Sequence, residues 1–334
     1  MVRTLAALAC AAAMTVACAA ASAEPAKIKV SWATTPSHLT PLKFHDKSKL
    51  KHNGKSYEVE TLFLRGSGEV VTALAADELT IGSVNFQTLH NLINRAQLDV
   101  RVIADVFQTR KGHSNGEFYV DPNKIKAVPD LKGKRVAINA RGSGVDAAVR
   151  ARLGQDGLKD GADYTIVEIR FPAMLPALEA GRVDMAFINL PFSLHAKAKG
   201  YKILFDYVDV LGEQQTVMWV AKEAWLKANR AAVVDFMEDA LRMRRWLEDP
   251  KNRDKSIEVL AAVTRQPAKE LEPWAFKGID SFHDPDMLPD VALLQKNVYD
   301  LVPFGLADKR IDIAPYVDLS YVKEAAARLK NGGQ

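Results

Sequence analysis

Two stretches of this chain repeat one local pattern at a spacing of 104 positions: Ala73-Leu74-Ala75-Ala76-Asp77-Glu78-Leu79-Thr80-Ile81 and Ala177-Leu178-Glu179-Ala180-Gly181-Arg182-Val183-Asp184-Met185. Each reads as a helix end, a tight turn and a strand. Each strand then runs into an asparagine, Asn85 and Asn189, at the same spacing. Upstream, Phe63-Leu64-Arg65 and Glu168-Ile169-Arg170 close the preceding strands. Solenoids repeat every 20–50 residues or so, far less than this. The long period encloses several elements and predicts two similarly built α/β lobes. The intervening sequence agrees. Ile28, Val30 and Trp32 alternate with Lys27, Lys29 and Ser31, a period-2 strand pattern. Further strands are predicted at 57–64, 79–84, 100–107, 135–139, 165–169 and 185–188, with helical segments between them. Strands separated by helices imply parallel sheets built from βαβ units.

The polar, glycine-containing segment 111–116 marks passage into the second lobe. A strand-like run at 215–221 marks the return. The predicted division is 24–116 with 218–334 as a discontinuous first lobe and 117–217 as the second. Beyond 223 the chain reads as mostly helical. Segment 231–247 is amphipathic, with Val234, Met237, Leu241 and Trp246 near one face, and 319–329 reads as a closing helix. At 334 residues the length suits two lobes, since a single core stops growing at roughly 250–300 residues.

Residues 1–23 predict export. Arg3 is the one charge before a long Ala-rich apolar run that ends in Ala21-Ser22-Ala23. A positive start, an apolar stretch and a small-x-small exit define a secretory signal peptide, with a periplasmic product. A membrane anchor is disfavoured by the weak apolarity of the run and by its cleavage-like end. A lipoprotein attached through Cys18 is disfavoured by Thr15-Val16-Ala17, a poor lipobox. Cys10 and Cys18 are the two cysteines of the chain. Beyond the signal there is therefore no disulfide, thiolate metal site or cysteine nucleophile. A formal charge of +4 is too weak a field for electrostatic nucleic-acid binding.

In parallel α/β sheets ligands bind beyond the carboxyl ends of the strands, where helices begin. Five turns fit that position. They are Thr34-Thr35-Pro36-Ser37-His38, Arg65-Gly66-Ser67-Gly68, Ser83-Val84-Asn85-Phe86, Asn139-Ala140-Arg141-Gly142-Ser143-Gly144 and Asn189-Leu190-Pro191-Phe192-Ser193. Each has a plainer reading: Ser, Thr and Asn cap helices, Gly frees the backbone, and Arg65 and Arg141 form surface ion pairs. Their recurrence at strand ends in both lobes favours one shared cleft. No nucleophile elbow, phosphate loop or dinucleotide fingerprint is present. His38, His45 and His52 recur every seven residues. On a helix each step is roughly 10 Å, too far for one ion. With Lys43, Lys47, Lys49, Lys51 and Lys55 nearby, a solvated basic face is expected and no metal.

The assembled pattern resembles the periplasmic substrate-binding proteins of ABC importers, in the nitrate/sulfonate/taurine group that also includes binders of thiamine precursors. The residues that carry the resemblance are 27–36, 70–85, 128–137 and 171–192, above all Phe171-Pro172 followed by Ala177-Leu178-Glu179-Ala180-Gly181-Arg182-Val183-Asp184. It implies a type II binding-protein fold: two α/β lobes with a ligand cleft between them and a helical C-terminal region. It implies a monomer without cofactor that hands a small organic anion, a sulfonate or carboxylate, to a membrane permease and its ATPase. By position, Ser37, Arg65, Ser83, Asn85, Arg141, Gly142, Ser143 and Asn189 become the polar contacts. Phe86, Pro191, Phe192 and Trp219 become the apolar walls, and Trp32 is assigned to the core. A thiamine-precursor pyrimidine as ligand, or a sensor role, is the alternative. The same fold family includes enzymes, cysteine-dependent pyrimidine synthases and sulfinate desulfinases, and the lack of cysteine beyond the signal argues against both.

Overall fold

A computed structural model describes residues 24–113, 116–279 and 281–332. The expected signal peptide and both cysteines lie outside them. Ten strands build the two lobes. The first lobe holds β1 (Ala26–Trp32), β2 (Tyr57–Phe63), β3 (Gly82–Asn85), β4 (Val100–Thr109) and β10 (Gln214–Lys222). Here β1 and β2 pair in parallel, and β10 lies between β3 and β4. A bridge from Val30 to Ile81 joins the two pieces. The second lobe holds β5 (Glu117–Val120), β6 (Arg135–Ile138), β7 (Thr165–Glu168), β8 (Met185–Ile188) and β9 (Lys202–Asp206), in the order β7-β6-β8-β5-β9.

The sheets are mixed, which corrects the expectation of parallel ones. In each lobe one strand runs against its two neighbours: β10 between β3 and β4, and β5 between β8 and β9. These are the two strands the chain enters on arriving from the other lobe, through short connections with no full crossover helix. A strand reached that way enters its sheet at the cleft end, where its neighbours have their carboxyl ends, and so runs opposite to them. Neither β5 nor β9 is among the predicted strands, whereas the other predictions fall within a few residues of those observed.

The repeat is structural. The helices Ser67–Ala75 and Phe171–Glu179 begin and end 104 positions apart. The left-handed residues after them, Asp77 at φ 59° and Gly181 at φ 63°, share that offset. Tight left-handed turns there feed β3 and β8, which places Asn85 and Asn189 at equivalent strand ends.

Helix Arg230–Glu248 buries Val234, Met237 and Leu241 against the first lobe, as its periodicity predicts. Trp219 and Phe44 pack on Phe236 of this helix, with ring centroids 5.4 Å apart for Trp219–Phe236 and 4.9 Å for Phe44–Phe236. The basic segment around residues 43–55 is pinned by one carboxylate. Asp239 accepts from the amides of Lys51 and His52 at 2.9 Å each and from the Tyr57 hydroxyl at 2.7 Å. Lys47, Lys49, Lys51 and Lys55 are exposed as expected, but Lys43 is buried, its ammonium 4.2 Å above the Trp219 ring. Burial pulls the Lys43 pKa down to about 7.

Asp105, on β4, is buried and accepts from Gln215 Nε2 at 2.6 Å. Burial pushes its pKa up to about 7. The folded state therefore favours the protonated acid. That contribution is complete below the ordinary carboxylate pKa near 4 and is lost as pH rises through 7. Asp105→Asn keeps the acceptor for Gln215, gives up the longer 3.3 Å bond from the Asp284 amide and removes the ionisation. Thermal melts should superimpose on wild type at pH 5, with the variant melting several degrees higher at pH 8. A variant less stable at both pH values would mean that the carboxylate itself is needed.

Candidate ligand cleft

The carboxyl ends of β1, β2, β3, β6, β7 and β8 all open into the space between the lobes, as the rule for parallel α/β sheets requires. Two adjoining chambers lie there. The inner one, about 90 Å³, is lined by Ser31, Ser83, Asn85, Asn139, Ser143 and His38 among others, with Phe107, Val145 and Val217 as apolar surface. The outer one, about 370 Å³, is lined by Phe63, Arg65, Arg170, Pro172, Asn189, Pro191 and Phe192, and by Val263, Thr264 and Gln266 from the C-terminal region. Trp32, Ala33, Thr34, Asn139 and Phe171 border both.

Local folding explains why the polar groups face inward. Asn85 caps helix Phe86–Asn94, accepting from the Thr88 amide at 2.7 Å. Ser143 caps helix Gly144–Gln155, accepting from the Asp146 amide at 3.3 Å and donating to Asn139 Oδ1 at 2.8 Å. Gly66, at the start of helix Ser67–Ala75, reaches the same chamber. Three helix N-termini, two from the first lobe and one from the second, thus bring their partial positive charge to the inner chamber. The cap reading and the ligand reading of these residues are compatible: the cap fixes the side chain where the chamber needs it.

No side chain of the inner lining is charged. His38 is buried, and its pKa falls to about 3, chiefly through that burial and secondarily through Lys43 nearby. It is a neutral imidazole at any physiological pH, and its Nδ1 has no partner among the described residues. Asn189 Oδ1 is likewise unpartnered, while Asn189 Nδ2 donates to Thr34 Oγ1 at 3.1 Å, a bond from one lobe to the other. Arg65 and Arg170 supply the charge at the outer chamber, whose lining contains no acid.

Seven of the twelve residues expected from sequence line the two chambers: Ser83, Asn85 and Ser143 within, and Arg65, Asn189, Pro191 and Phe192 without. Five do not. Arg141 lies in a side groove with Arg65 and Arg170, its guanidinium 2.7 Å from Asp160, which neutralises it. Gly142 turns the backbone at φ 74° and donates its amide to Asp146 at 2.8 Å. Ser37 is buried behind the cleft, its carbonyl accepting from His283 Nε2 at 2.9 Å. Phe86 follows the cap Asn85 by one residue, a rotation of about 100° that turns it into the core beside Leu211 and Leu301. Trp219 packs on helix Arg230–Glu248, and Thr216 and Val217 of the same strand reach the chamber instead.

Trp32, assigned to the core, borders both chambers and meets Phe63 edge-on at 5.0 Å. His38 and Asn139 stand in two of the expected cleft turns without having been expected as contacts, and Arg170 and Phe171 were not expected there. Arg170 and Phe171 sit at the repeat position equivalent to Gly66 and Ser67, so the repeat carried the signal for them. For His38 the sequence holds none beyond its place in the first turn. The three spaced histidines share no helix: His38 is buried, His45 exposed and His52 half-buried. His52, Asp235 and Glu238 do bring ligand-type atoms within 4.8 Å of one another. Lys51, Arg242 and Arg328 already lie 2.8–3.4 Å from the two carboxylates, so the cluster is an ion-pair network.

Two α/β lobes, one inserted antiparallel strand in each and a polar cleft between them define a periplasmic-binding-protein fold of type II. The chain belongs to the NMT1/THI5-like family, whose model matches residues 56–252. It is 25% identical over 236 residues to an ABC transporter periplasmic binding protein of Brachyspira hyodysenteriae, across 66% of this chain and 62% of that one. Among solved structures it is similar to the alkanesulfonate-binding protein SsuA of Xanthomonas axonopodis pv. citri bound to MOPS. The TM-score is 0.66 at 19% identity, covering 89% of this chain and 99% of that one. The nitrate-binding protein NrtA of Synechocystis gives a TM-score of 0.71 at 12% identity, covering 92% and 90%. No described helix is long and apolar enough to cross a membrane.

Proposed function

We propose that this protein is an extracytoplasmic solute-binding protein that captures a small organic anion, a sulfonate or carboxylate, and delivers it to an ABC-type importer. The observation that carries this reading is the interlobe cleft, where helix N-termini from both lobes and two guanidinium groups favour negative charge, while aromatic walls favour an organic body. Capture follows from lobe closure, and the residues on the two rims meet only when the lobes are together. Export by the segment 1–23, action as a monomer and the division at 24–116 with 218–334 against 117–217 belong to the same proposal. An enzymatic role is disfavoured because residues 24–334 contain no cysteine nucleophile and the inner chamber holds no charged acid or base.

The test is a thermal-shift and calorimetric screen with sulfonates, aliphatic and aromatic carboxylates, nitrate and pyrimidines. A true ligand stabilises the protein by mass action, roughly 2.7 kcal/mol at a hundred times its Kd. A response to a pyrimidine and to no anion would replace the ligand class and keep the binding role. Turnover of a stabilising compound would replace the binding role.

A further inference from the structure

The two chambers differ in charge, and that difference assigns an orientation to the ligand. A negative charge in the inner chamber would meet only partial charges, those of three helix N-termini, hydroxyls, amides and the uncharged His38 ring, and no full countercharge. The outer chamber has two guanidinium groups and no acid in its lining. These two arginines are unequal. Arg65 is committed to Glu69, with Nε 2.7 Å from Oε1 and its own amide 2.8 Å from Oε2. Arg170 is exposed and has no acid within ion-pair distance among the described residues; Glu69, already held by Arg65, feels its charge from further off. Arg170 occupies the N-cap position of helix Phe171–Glu179, where its carbonyl accepts from the Ala173 amide at 2.9 Å and Pro172 fixes the first turn. Its backbone is thereby fixed at the rim, and its side-chain charge adds to that of the helix N-terminus. The outer chamber is also too large for an inorganic anion alone, and Trp32, Phe63, Phe171 and Phe192 supply flat apolar surface from both lobes.

Resting on the binding-protein reading above, we propose that Arg170 is the anion anchor of the cleft and that the ligand is an aryl carboxylate or aryl sulfonate. Its ring lies at the Trp32–Phe171 passage. Its charged group points outward to Arg170, and any neutral hydrogen-bonding substituent points inward to His38 and the serines. Arg170 sets specificity for charge; the aromatic walls set it for the ring.

Calorimetry with 4-hydroxybenzoate, benzenesulfonate and the uncharged 4-hydroxybenzamide tests this. Wild type should bind either aryl anion at least about ten-fold more tightly than the amide, the scale of one hydrogen bond to a charged group. Arg170→Gln should remove most of that preference by lowering the affinity for the aryl anions far more than that for the amide, and Arg170→Lys should keep part of it. Because Arg170 is exposed, the variants should melt with wild type. Persistence of the preference in Arg170→Gln would overturn the anchor. Binding of nitrate or methanesulfonate, and of neither aryl anion, would overturn the aryl ligand and leave the organic-anion binding protein or its inorganic counterpart standing. Binding of the amide alone would overturn both this inference and the anion reading.

Discussion

Gly66→Val should abolish tight ligand binding while leaving the unliganded protein as stable as wild type. Gly66 has φ −171°, extended backbone that any residue adopts, so a side chain strains nothing within its own lobe. The obstacle lies across the cleft, where a Cβ at this position would stand 2.4 Å from Ala140 Cβ in the second lobe. Two carbon atoms cannot approach that closely, so the lobes must stay apart. With them parted, the Thr34–Asn189 bond is not made and the chambers lose one wall. The expected loss of affinity is a hundred-fold or more, about 3 kcal/mol, since a ligand held by one lobe keeps only part of its contacts. Calorimetry measures the affinity, and small-angle scattering should show a larger radius of gyration at saturating ligand. Ala140→Gly opens the same gap from the other side, so the double variant should regain most of the lost affinity. Wild-type affinity in Gly66→Val alone would mean that the closed arrangement is not the binding state.

Asp239→Ala should be the most destabilising single change outside the cleft. Asp239 is completely buried and makes four polar contacts: two amides of residues 51 and 52, the Tyr57 hydroxyl, and Arg242 Nη1 at 2.8 Å. Removing the carboxylate leaves those donors unpaired and a guanidinium without its counter-charge. The cost is about 3–5 kcal/mol, the range for breaking a buried ion pair from one side. Asp239→Asn retains two acceptor lone pairs and should lose less. Chemical denaturation measures both. The segment 43–56 should exchange its amide protons faster in the alanine variant, because Asp239 is what holds the Lys51 and His52 amides in place. Equal stability of Asp239→Ala and wild type would mean that the basic loop is held by its exposed lysines, which surface ion pairs are too weak to do.

The readable and the unreadable parts of the site divide along one line. Asn85 and Ser143 were legible because a strand end followed by a helix start is a local pattern, and a cap is chosen by the two or three residues around it; Asn189 was legible through the repeat, as the residue after a strand end, although it caps no helix. Arg141 matched the same pattern and fails, because Asp160, 19 residues away, takes its guanidinium. Trp219 and Trp32 exchange roles for a related reason. Both lie on strands of one lobe. What faces Trp219 is a helix beginning at Arg230, whereas what faces Trp32 is the other lobe. Neither partner is written near the residue itself. Arg170 is the instructive case: the repeat aligned its segment with the helix start at Gly66, yet only its position opposite Arg65, with no ion pair of its own, marks it as the free charge of the cleft.

The sequence by itself determined the alternation of strands and helices, the two-lobe plan implied by the 104-residue repeat, and the placement of polar caps at strand ends. These are short-range or periodic features, set by hydrophobic period, turn chemistry and capping. The tertiary structure alone decided which strand is inserted antiparallel in each lobe. It also decided which of the candidate turns share a chamber, and that the inner chamber is neutral while the outer one carries the arginines. Those outcomes depend on contacts between residues tens to hundreds of positions apart, such as Thr34 with Asn189 and Gly66 beside Ala140. Such pairs are brought together by the packing of two lobes and leave no trace in the spacing of either partner.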